Sequence, residues 1–173
     1  YNPFTLKFIH FDNRTLGNYR ETNHLSISIE NSSFAVKEII NNDQLTFDGE
    51  IAKATINYFR KLSDNLTLNV SLPIYSFSRG FLDSPIEQWH DLFGLSDGSR
   101  VDLPKSQLNF EVLSGSYKER INDSNIGIGD IQISTKLNFY SKNKNDLYFI
   151  TSLEIPTGSK KKYFGNDELD GLI

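Results

Sequence analysis

Segment 83–93 holds the densest group of side chains that could do chemistry. Glu87 and His90 lie three residues apart, which is the spacing of one half of a di-iron site in a helical bundle. Glu87 and Asp91, four residues apart, could join loop carbonyl groups in a weak calcium site. Because charged helix faces usually have no role beyond solvation, we expect neither a metal nor a cofactor here. The candidates in this segment are Asp83, Glu87, Trp89, His90 and Asp91.

The three histidines, His10, His24 and His90, are candidate general bases for hydrolysis. None of them lies in a recognisable nucleophile motif, and serine is too common in the chain to single out a partner. An isolated histidine in a strand is more often a surface or lining residue than a catalytic one. Catalysis is therefore the alternative, and we expect no catalytic residue.

A basic cluster lies late in the chain, where three lysines precede Tyr163 and Phe164 in a polar loop. Such clusters pair with the phosphate groups of anionic lipids. The alternative interpretation is a solvated loop without a partner. The candidates for contact with lipid phosphate are Lys160, Lys161 and Lys162.

Composition excludes several classes of protein. The chain has 173 residues, a net charge of −4 and no cysteine, so it offers no basic nucleic-acid patch, no disulfide and no thiolate zinc site. Its mean hydropathy is −0.42, which leaves no apolar run long enough for a membrane helix. Methionine is also absent, even at position 1, so we expect that the chain begins after processing or trimming.

Residues 65–75 alternate between two kinds of side chain, which assigns them to a β-strand. The apolar set is purely aliphatic, and the polar set is small and uncharged. This combination suits a strand between lipid and a wet lumen at least as well as a strand between a core and bulk water. The aliphatic set is Leu66, Leu68, Val70, Leu72 and Ile74, and the polar set is Thr67, Asn69 and Ser71.

Similar alternation predicts seven main strands and the beginning of another near Leu169, with a tight polar turn at 31–33. The predicted strands are 3–12, 23–31, 34–41, 44–61, 65–75, 130–141 and 147–155. Their polar faces carry the residues that would line a lumen, where charged members tune ion preference or fill a small barrel. These lumen-lining candidates are Lys53, Thr67, Asn69, Ser71, Lys136, Asn138 and Glu154.

Residues 76–127 interrupt the strand pattern as a loop insertion. A helix is predicted over about 83–93, where Ser84, Pro85 and Glu87 resemble a capping box with proline in the first turn. We expect Trp89 and Phe93 to dock against the remainder of the protein. A small hairpin is predicted over about 107–121, around Ser114-Gly115.

Connection lengths alternate along the chain. Up-and-down outer-membrane barrels have short periplasmic turns and long external loops, whereas Greek-key sandwiches have no reason to alternate. The pattern therefore favours a barrel. The short links are 32–33, 62–65 and 142–146, the long ones are 13–22, 76–127 and 156–168, and the short link 41–43 falls on the side of the long ones.

The stretch 80–100, with its Gly-Phe-Leu-Asp start and its Trp-His-Asp-Leu-Phe-Gly centre, resembles the signature of an uncharacterised family of Gram-negative outer-membrane proteins. That family is a domain of unknown function. The Gly-Ile-Gly-Asp and Ile-Pro-Thr-Gly blocks also resemble barrels linked to uptake of aromatic or hydrophobic compounds. Further blocks that carry the resemblance are Leu45 to Glu50, Leu72-Pro73, Gly127 to Asp130 and Ile155 to Gly158.

The resemblance and the strand pattern together predict an all-β, antiparallel up-and-down transmembrane β-barrel, a single domain over 1–173. Such proteins end on an aromatic residue after more strands, so we expect a partial chain, incomplete after Gly171-Leu172-Ile173. The expected function is a non-enzymatic channel, uptake porin or structural component of the bacterial outer membrane. Its expected partners are outer-membrane lipid, lipopolysaccharide and other envelope proteins, and no nucleic acid. The alternatives are an outer-membrane lipid or lipopolysaccharide hydrolase, and a soluble periplasmic β-sandwich for binding or assembly.

Overall fold

The computed structural model describes residues 23–142 and 145–172. The predicted strand 3–12, the predicted loop 13–22 and His10 lie outside the described residues.

The described chain is dominated by β-strands that pair antiparallel, which confirms the predicted all-β antiparallel class. The elements are β1 (Asn23–Ile40), β2 (Asp43–Lys61), β3 (Leu66–Ser78), α1 (Asp83–Phe93), β4 (Asn109–Ser114), β5 (Tyr117–Ile121), β6 (Asn125–Ile128), β7 (Ile131–Lys142), β8 (Asn145–Ile155) and β9 (Asp170–Leu172). The strand order is β5-β4-β2-β3-β7-β8-β9, with β1 on β2 and β6 on β3, and over the described residues this order is open. Within the same ranges, no helix combines the length and the apolar character needed to cross a membrane.

Strand β1 is continuous from Asn23 to Ile40, so the predicted turn at 31–33 is wrong. Its polar residues have partners far along the chain: the Asn31 amide donates to Glu50 at 3.2 Å, and Ser33 accepts from Arg100 at 2.9 Å. These side-chain contacts let a sequence with turn composition stay extended. The short link at 32–33 therefore does not exist. Without it the predicted long link 13–22 falls on the same side as the short links 62–65 and 142–146, so the alternation no longer holds over the whole chain.

The described residues fall into two compact units. The first contains 30–52 and 76–126, and its core is aromatic. The ring of Phe110 is fully buried and makes edge contacts with three other phenylalanines. The centroid distances are 5.8 Å to Phe34, 5.8 Å to Phe47 and 6.4 Å to Phe77. Edge-to-face aromatic pairs add stabilisation beyond the area they bury, so β4 is fixed against this cluster.

The second unit contains the described residues 23–29, 53–75 and 127–172. The register of β3, β7 and β8 places like side chains opposite one another. Val70 pairs with Ile133, which pairs with Leu153 on one face of the sheet. On the other face Asn69 pairs with Ser134, and Ser134 with Ser152. The alternation read from the sequence is therefore preserved across three strands.

Replacing Phe110 by alanine should remove the centre of the aromatic cluster. We expect a loss of about 3–5 kcal/mol in the free energy of unfolding of the first unit, as for other buried phenylalanines. The matched control is Phe93→Ala, because the side chain of Phe93 is 56% exposed. Urea unfolding followed by circular dichroism measures both changes, and equal midpoints for the two variants would contradict this description of the core.

Candidate functional site: the polar face of the second unit

The sheet of the second unit buries its polar side chains and exposes its aliphatic ones. Asn69 is 1% exposed and Asn57 is 2% exposed, whereas Leu147 is 55% and Phe139 is 64% exposed. A sheet in water normally buries its apolar face. In this unit the polar face is buried and the aliphatic face is the more exposed one, which is the reverse of that rule.

The predicted lumen-lining residues share this polar face. In β3 they alternate with aliphatic residues, and the strand register places Thr67 opposite Lys136. Four of the seven are buried, namely Lys53, Asn69, Ser71 and Glu154. Thr67, Lys136 and Asn138 are half-buried. The lumen itself stays a prediction, but the structure brings these residues to one surface.

The polar face retains unused hydrogen-bonding capacity. The hydroxyl groups of Ser134 and Ser152 bond each other at 2.8 Å. Among the described residues, neither the amide nitrogen nor the carbonyl oxygen of the Asn69 side chain has a partner, and the side-chain oxygen of Asn57 has none. An unpaired buried amide costs about 1–3 kcal/mol, so this face suits polar surroundings.

The opposite face holds two polar residues in register, and they satisfy each other. Thr135 pairs with Thr151, and their hydroxyl oxygens lie 2.7 Å apart. Their neighbours on this face are aliphatic or aromatic, including Ile133 and Phe149. A hydroxyl that is paired within the sheet does not need water, which fits an apolar environment outside this face.

Lys136 and Lys53 each lie near an aromatic ring of this unit. The Lys136 ammonium lies 4.3 Å from the centroid of Tyr148, and that of Lys53 lies 5.9 Å from the centroid of Tyr75. Cation–π contacts stabilise a charge that has lost part of its hydration. The two lysines are therefore held within the sheet.

Two motifs of the resemblance meet at one end of the polar face. The Asp130 carboxylate accepts a hydrogen bond from the Gly158 backbone N–H at 2.8 Å and another from Asn166 N–H at 3.1 Å. Thr157 accepts from Ile131 N–H at 3.0 Å through its hydroxyl, which also donates to the Gly129 carbonyl at 2.7 Å. We call residues 156–167 the anchored loop, because Asp130 and Gly129 hold it at both of its ends.

The anchored loop inserts Phe164 against the sheet. This ring is 3% exposed and stacks on Tyr75 with centroids 6.4 Å apart. Tyr75 belongs to the same face of β3 as Asn69 and Ser71, six and four residues before it. Neither Asp130 nor Phe164 was predicted as a site residue from the sequence. The signal near them is the weak Gly-x-Gly-Asp and Pro-Thr-Gly spacing.

The basic cluster lies in the same loop. Lys160, Lys161 and Lys162 form one turn of 3-10 helix, and all three are exposed. The Lys160 backbone N–H donates to the Asp167 carboxylate at 3.1 Å, which fixes the start of the turn. The cluster is thus available to a partner, but nothing in the structure identifies one.

In the first unit, two buried carboxylates hold the insertion that contains α1. Asp83 accepts from the Arg100 guanidinium at 2.6 Å and from Ser106 N–H at 3.0 Å. Glu50 is fully buried and accepts from Leu82 N–H at 2.6 Å. Charge-assisted bonds to buried carboxylates are costly to break singly, so these contacts are structural anchors.

The segment 83–93 forms the predicted helix, but its expected cap is absent. The N-cap is Leu82, and no side chain caps the first turn, so the predicted capping box at Ser84 is wrong. Asp83 is instead drawn to Arg100. At the other end Gly94 adopts the left-handed conformation, as expected of a glycine that ends a helix.

The remaining candidates on α1 do not assemble a reactive site. Glu87 forms an ion pair with Lys105, Asp91 is exposed, and the His90 ring contacts Asp97 with Nδ1 and Oδ1 2.7 Å apart. Trp89 and Phe93 are each more than half exposed, and their rings contact each other at 4.4 Å, so their docking onto a barrel rim or lumen stays a prediction.

The described residues hold no metal cluster, and the described partners of His90 do not form a hydrolytic triad. Hydrogen bonds of the His90 ring reach only Asp97, and no serine joins this pair in the part of the chain that the structure describes. His24 packs near Phe59, with ring centroids 6.0 Å apart. Within the same part, no three acidic, histidine or cysteine residues are placed to hold a metal ion.

Asp48 is the group whose ionisation is most disturbed. Burial, and secondly the charge of Asp83, raise its pKa to about 6, while Arg100 opposes the shift. Its side chain is 3% exposed, and its Oδ2 has no hydrogen-bond partner among the described residues. A raised pKa means that the folded state favours the protonated form, so stability falls as pH rises from about 4 to about 6.

Replacing Asp48 by asparagine should therefore stabilise the first unit at neutral pH. The neutral amide has the same shape and removes the charge beside Asp83, and we expect a gain of about 1–2 kcal/mol at pH 7.5 that vanishes near pH 4. Hydrogen–deuterium exchange of 79–106, compared between parent and variant at each pH, measures the gain. A gain that is the same at pH 4 and pH 7.5 would contradict the assignment.

One comparison with known proteins identifies a family. The model of the family described as "Protein of unknown function (DUF3187)" matches residues 24–171. The chain therefore belongs to this uncharacterised family. The match agrees with the predicted membership of a domain family of unknown function. No curated protein and no solved structure matches the chain.

Proposed function

We propose that this chain forms part of the wall of a bacterial outer-membrane β-barrel whose polar interior admits small polar solutes. The observation that carries the proposal is the reversed burial of the second unit. We assign the aliphatic face of β3, β7 and β8 to lipid and the face of Asn69 and Ser134 to the interior. The proposed membrane-spanning segments are 66–74, 131–139 and 147–155, with 53–61 of β2.

Energetics favour this assignment. Apolar surface left in water costs about 25 cal/mol per Å², so an exposed face of Leu147, Leu153 and Phe139 would destabilise a protein in water. Lipid removes this cost, and strands of transmembrane barrels alternate apolar outside with polar inside. Thr135 and Thr151 are polar residues on the aliphatic face, but their hydroxyl groups bond each other and need no water.

The interior suits passage of solutes better than catalysis. It presents buried uncharged amide and hydroxyl groups such as those of Asn69 and Ser71, and the His90 ring bonds Asp97 without a serine. We therefore propose a non-enzymatic function. Outer-membrane lipid and lipopolysaccharide are the proposed surroundings, and the exposed lysines at 160–162 would contact phosphate groups of the outer leaflet.

A pair of neighbouring substitutions separates lipid from water as the environment of this sheet. Leu68 lies on the aliphatic face, and Thr67 lies on the polar face opposite Lys136. In a membrane, Leu68→Glu should cost about 1–3 kcal/mol of folding free energy. Thr67→Glu should be tolerated, because its carboxylate faces a lysine. Folding of the natural protein into lipid vesicles, titrated with urea, measures both.

If the protein instead folds in water, we expect the opposite order of destabilisation for the two variants. Leu68→Glu would then be neutral, because its face would be solvated, and Thr67→Glu would destabilise a buried surface. That order, together with recovery of the natural protein in the soluble fraction without detergent, would overturn the proposal.

Conductance distinguishes a channel from a structural component. The purified natural protein, reconstituted in a planar bilayer, should produce discrete current steps with small salts. If the parent and variants with smaller side chains in the interior all insert into the bilayer but carry no current, the channel function is contradicted. The proposed barrel would still stand.

A further inference from the structure

We infer that the anchored loop, 156–167, narrows one end of the polar interior and that Phe164 sets the size limit for solutes. This inference rests on the proposed function. Phe164 stacks on Tyr75, which faces the same side of β3 as Asn69 and Ser71. The loop therefore folds over the polar face and not over the aliphatic face.

Three glycines allow the loop to approach this closely. A Cβ atom at Gly127 would lie 2.6 Å from the ring of Phe164, and one at Gly158 would clash with the Phe164 carbonyl oxygen. A Cβ at Gly129 would lie 2.6 Å from the ring of Tyr75. Contacts below 3.0 Å require something to shift, so the position of Phe164 depends on glycine at each of these sites.

Asp130 fixes the loop in this position. Its two carboxylate oxygens accept from Gly158 N–H and Asn166 N–H, which lie on either side of Phe164 in the chain. The Asn166 side chain also contacts the carboxylate of Asp170, which pairs with Glu154 in the strand register. Because both flanks are tied to the sheet, the ring cannot leave the polar face without breaking these bonds.

The apolar ring of Phe164 determines which solutes the narrow end would admit. The Phe164 ring is 3% exposed, so it fills the space at this end of the polar face and excludes water from it. Apolar constrictions limit flow by dewetting as well as by size. The residue would therefore favour small solutes that pass with little hydration, and it would slow hydrated ions.

The first test is single-channel conductance of the natural protein in planar bilayers. Phe164→Ala should raise the conductance by about twofold or more, because it removes the narrowing ring. The matched control is Phe139→Ala, since Phe139 is 64% exposed on the aliphatic face. We expect the control to leave the conductance unchanged.

The second test measures the position of the loop without relying on current. The sequence has no cysteine, so a cysteine placed at Phe164 or Phe139 is a unique label site. Adding Asp130→Asn should speed labelling of Phe164→Cys by a charged thiol reagent about tenfold, because it weakens both anchors of the loop. Labelling of Phe139→Cys should not change.

The outcomes separate this inference from the proposed function. A conducting parent with a larger current in the Phe164→Ala variant supports both. A conducting parent with an identical variant overturns the narrowing alone. Silence of both proteins overturns the channel and the narrowing, and unchanged labelling after Asp130→Asn overturns the anchoring.

Discussion

The antiparallel register of β3, β7 and β8 is the constraint on which the structure of the second unit depends. It aligns Asn69 with Ser134 and Ser152 on one face, and Val70 with Ile133 and Leu153 on the other. A slip of one residue in any strand would exchange its two faces and place amides among aliphatic side chains. The uniform polarity of each face therefore depends on this register, and so does the choice of environment for each face.

The anchored loop depends on the same register. Gly129 and Asp130 directly precede β7, and Thr157 and Gly158 follow the end of β8, so pairing of Ile131 with Ile155 brings the two motifs together. Once they meet, one carboxylate satisfies two backbone N–H groups of the loop. The loop, which includes one turn of 3-10 helix at Lys160–Lys162, then places Phe164 on Tyr75. Sheet pairing thus determines both the two faces of this sheet and the position of the loop at their end.

Much of this sheet could be predicted because a period of two is a local property. The faces of β3 follow directly from residues 65–75, and the helix over about 83–93 was likewise predicted from its local sequence. The predictions that failed concern residues whose contacts lie far along the chain. The predicted turn at 31–33 is extended because Glu50 and Arg100 bind its polar groups, and Ser84 caps nothing because the helix begins on Leu82 while Asp83 binds Arg100. Phe164 was missed because stacking on a ring 89 residues away has no local signature.

The environment of the aliphatic face is the central claim, and site-directed spin labelling of residues 66–74 tests it most directly. A single introduced cysteine at each position of the natural protein in lipid bilayers would carry a nitroxide, whose collision rates with oxygen and with a water-soluble nickel complex are compared. Collisions with oxygen should dominate at Leu66, Leu68, Val70 and Leu72, and should fall at Thr67, Asn69 and Ser71, with a period of two. Preferential collision with the nickel complex at the four aliphatic positions would contradict the claim.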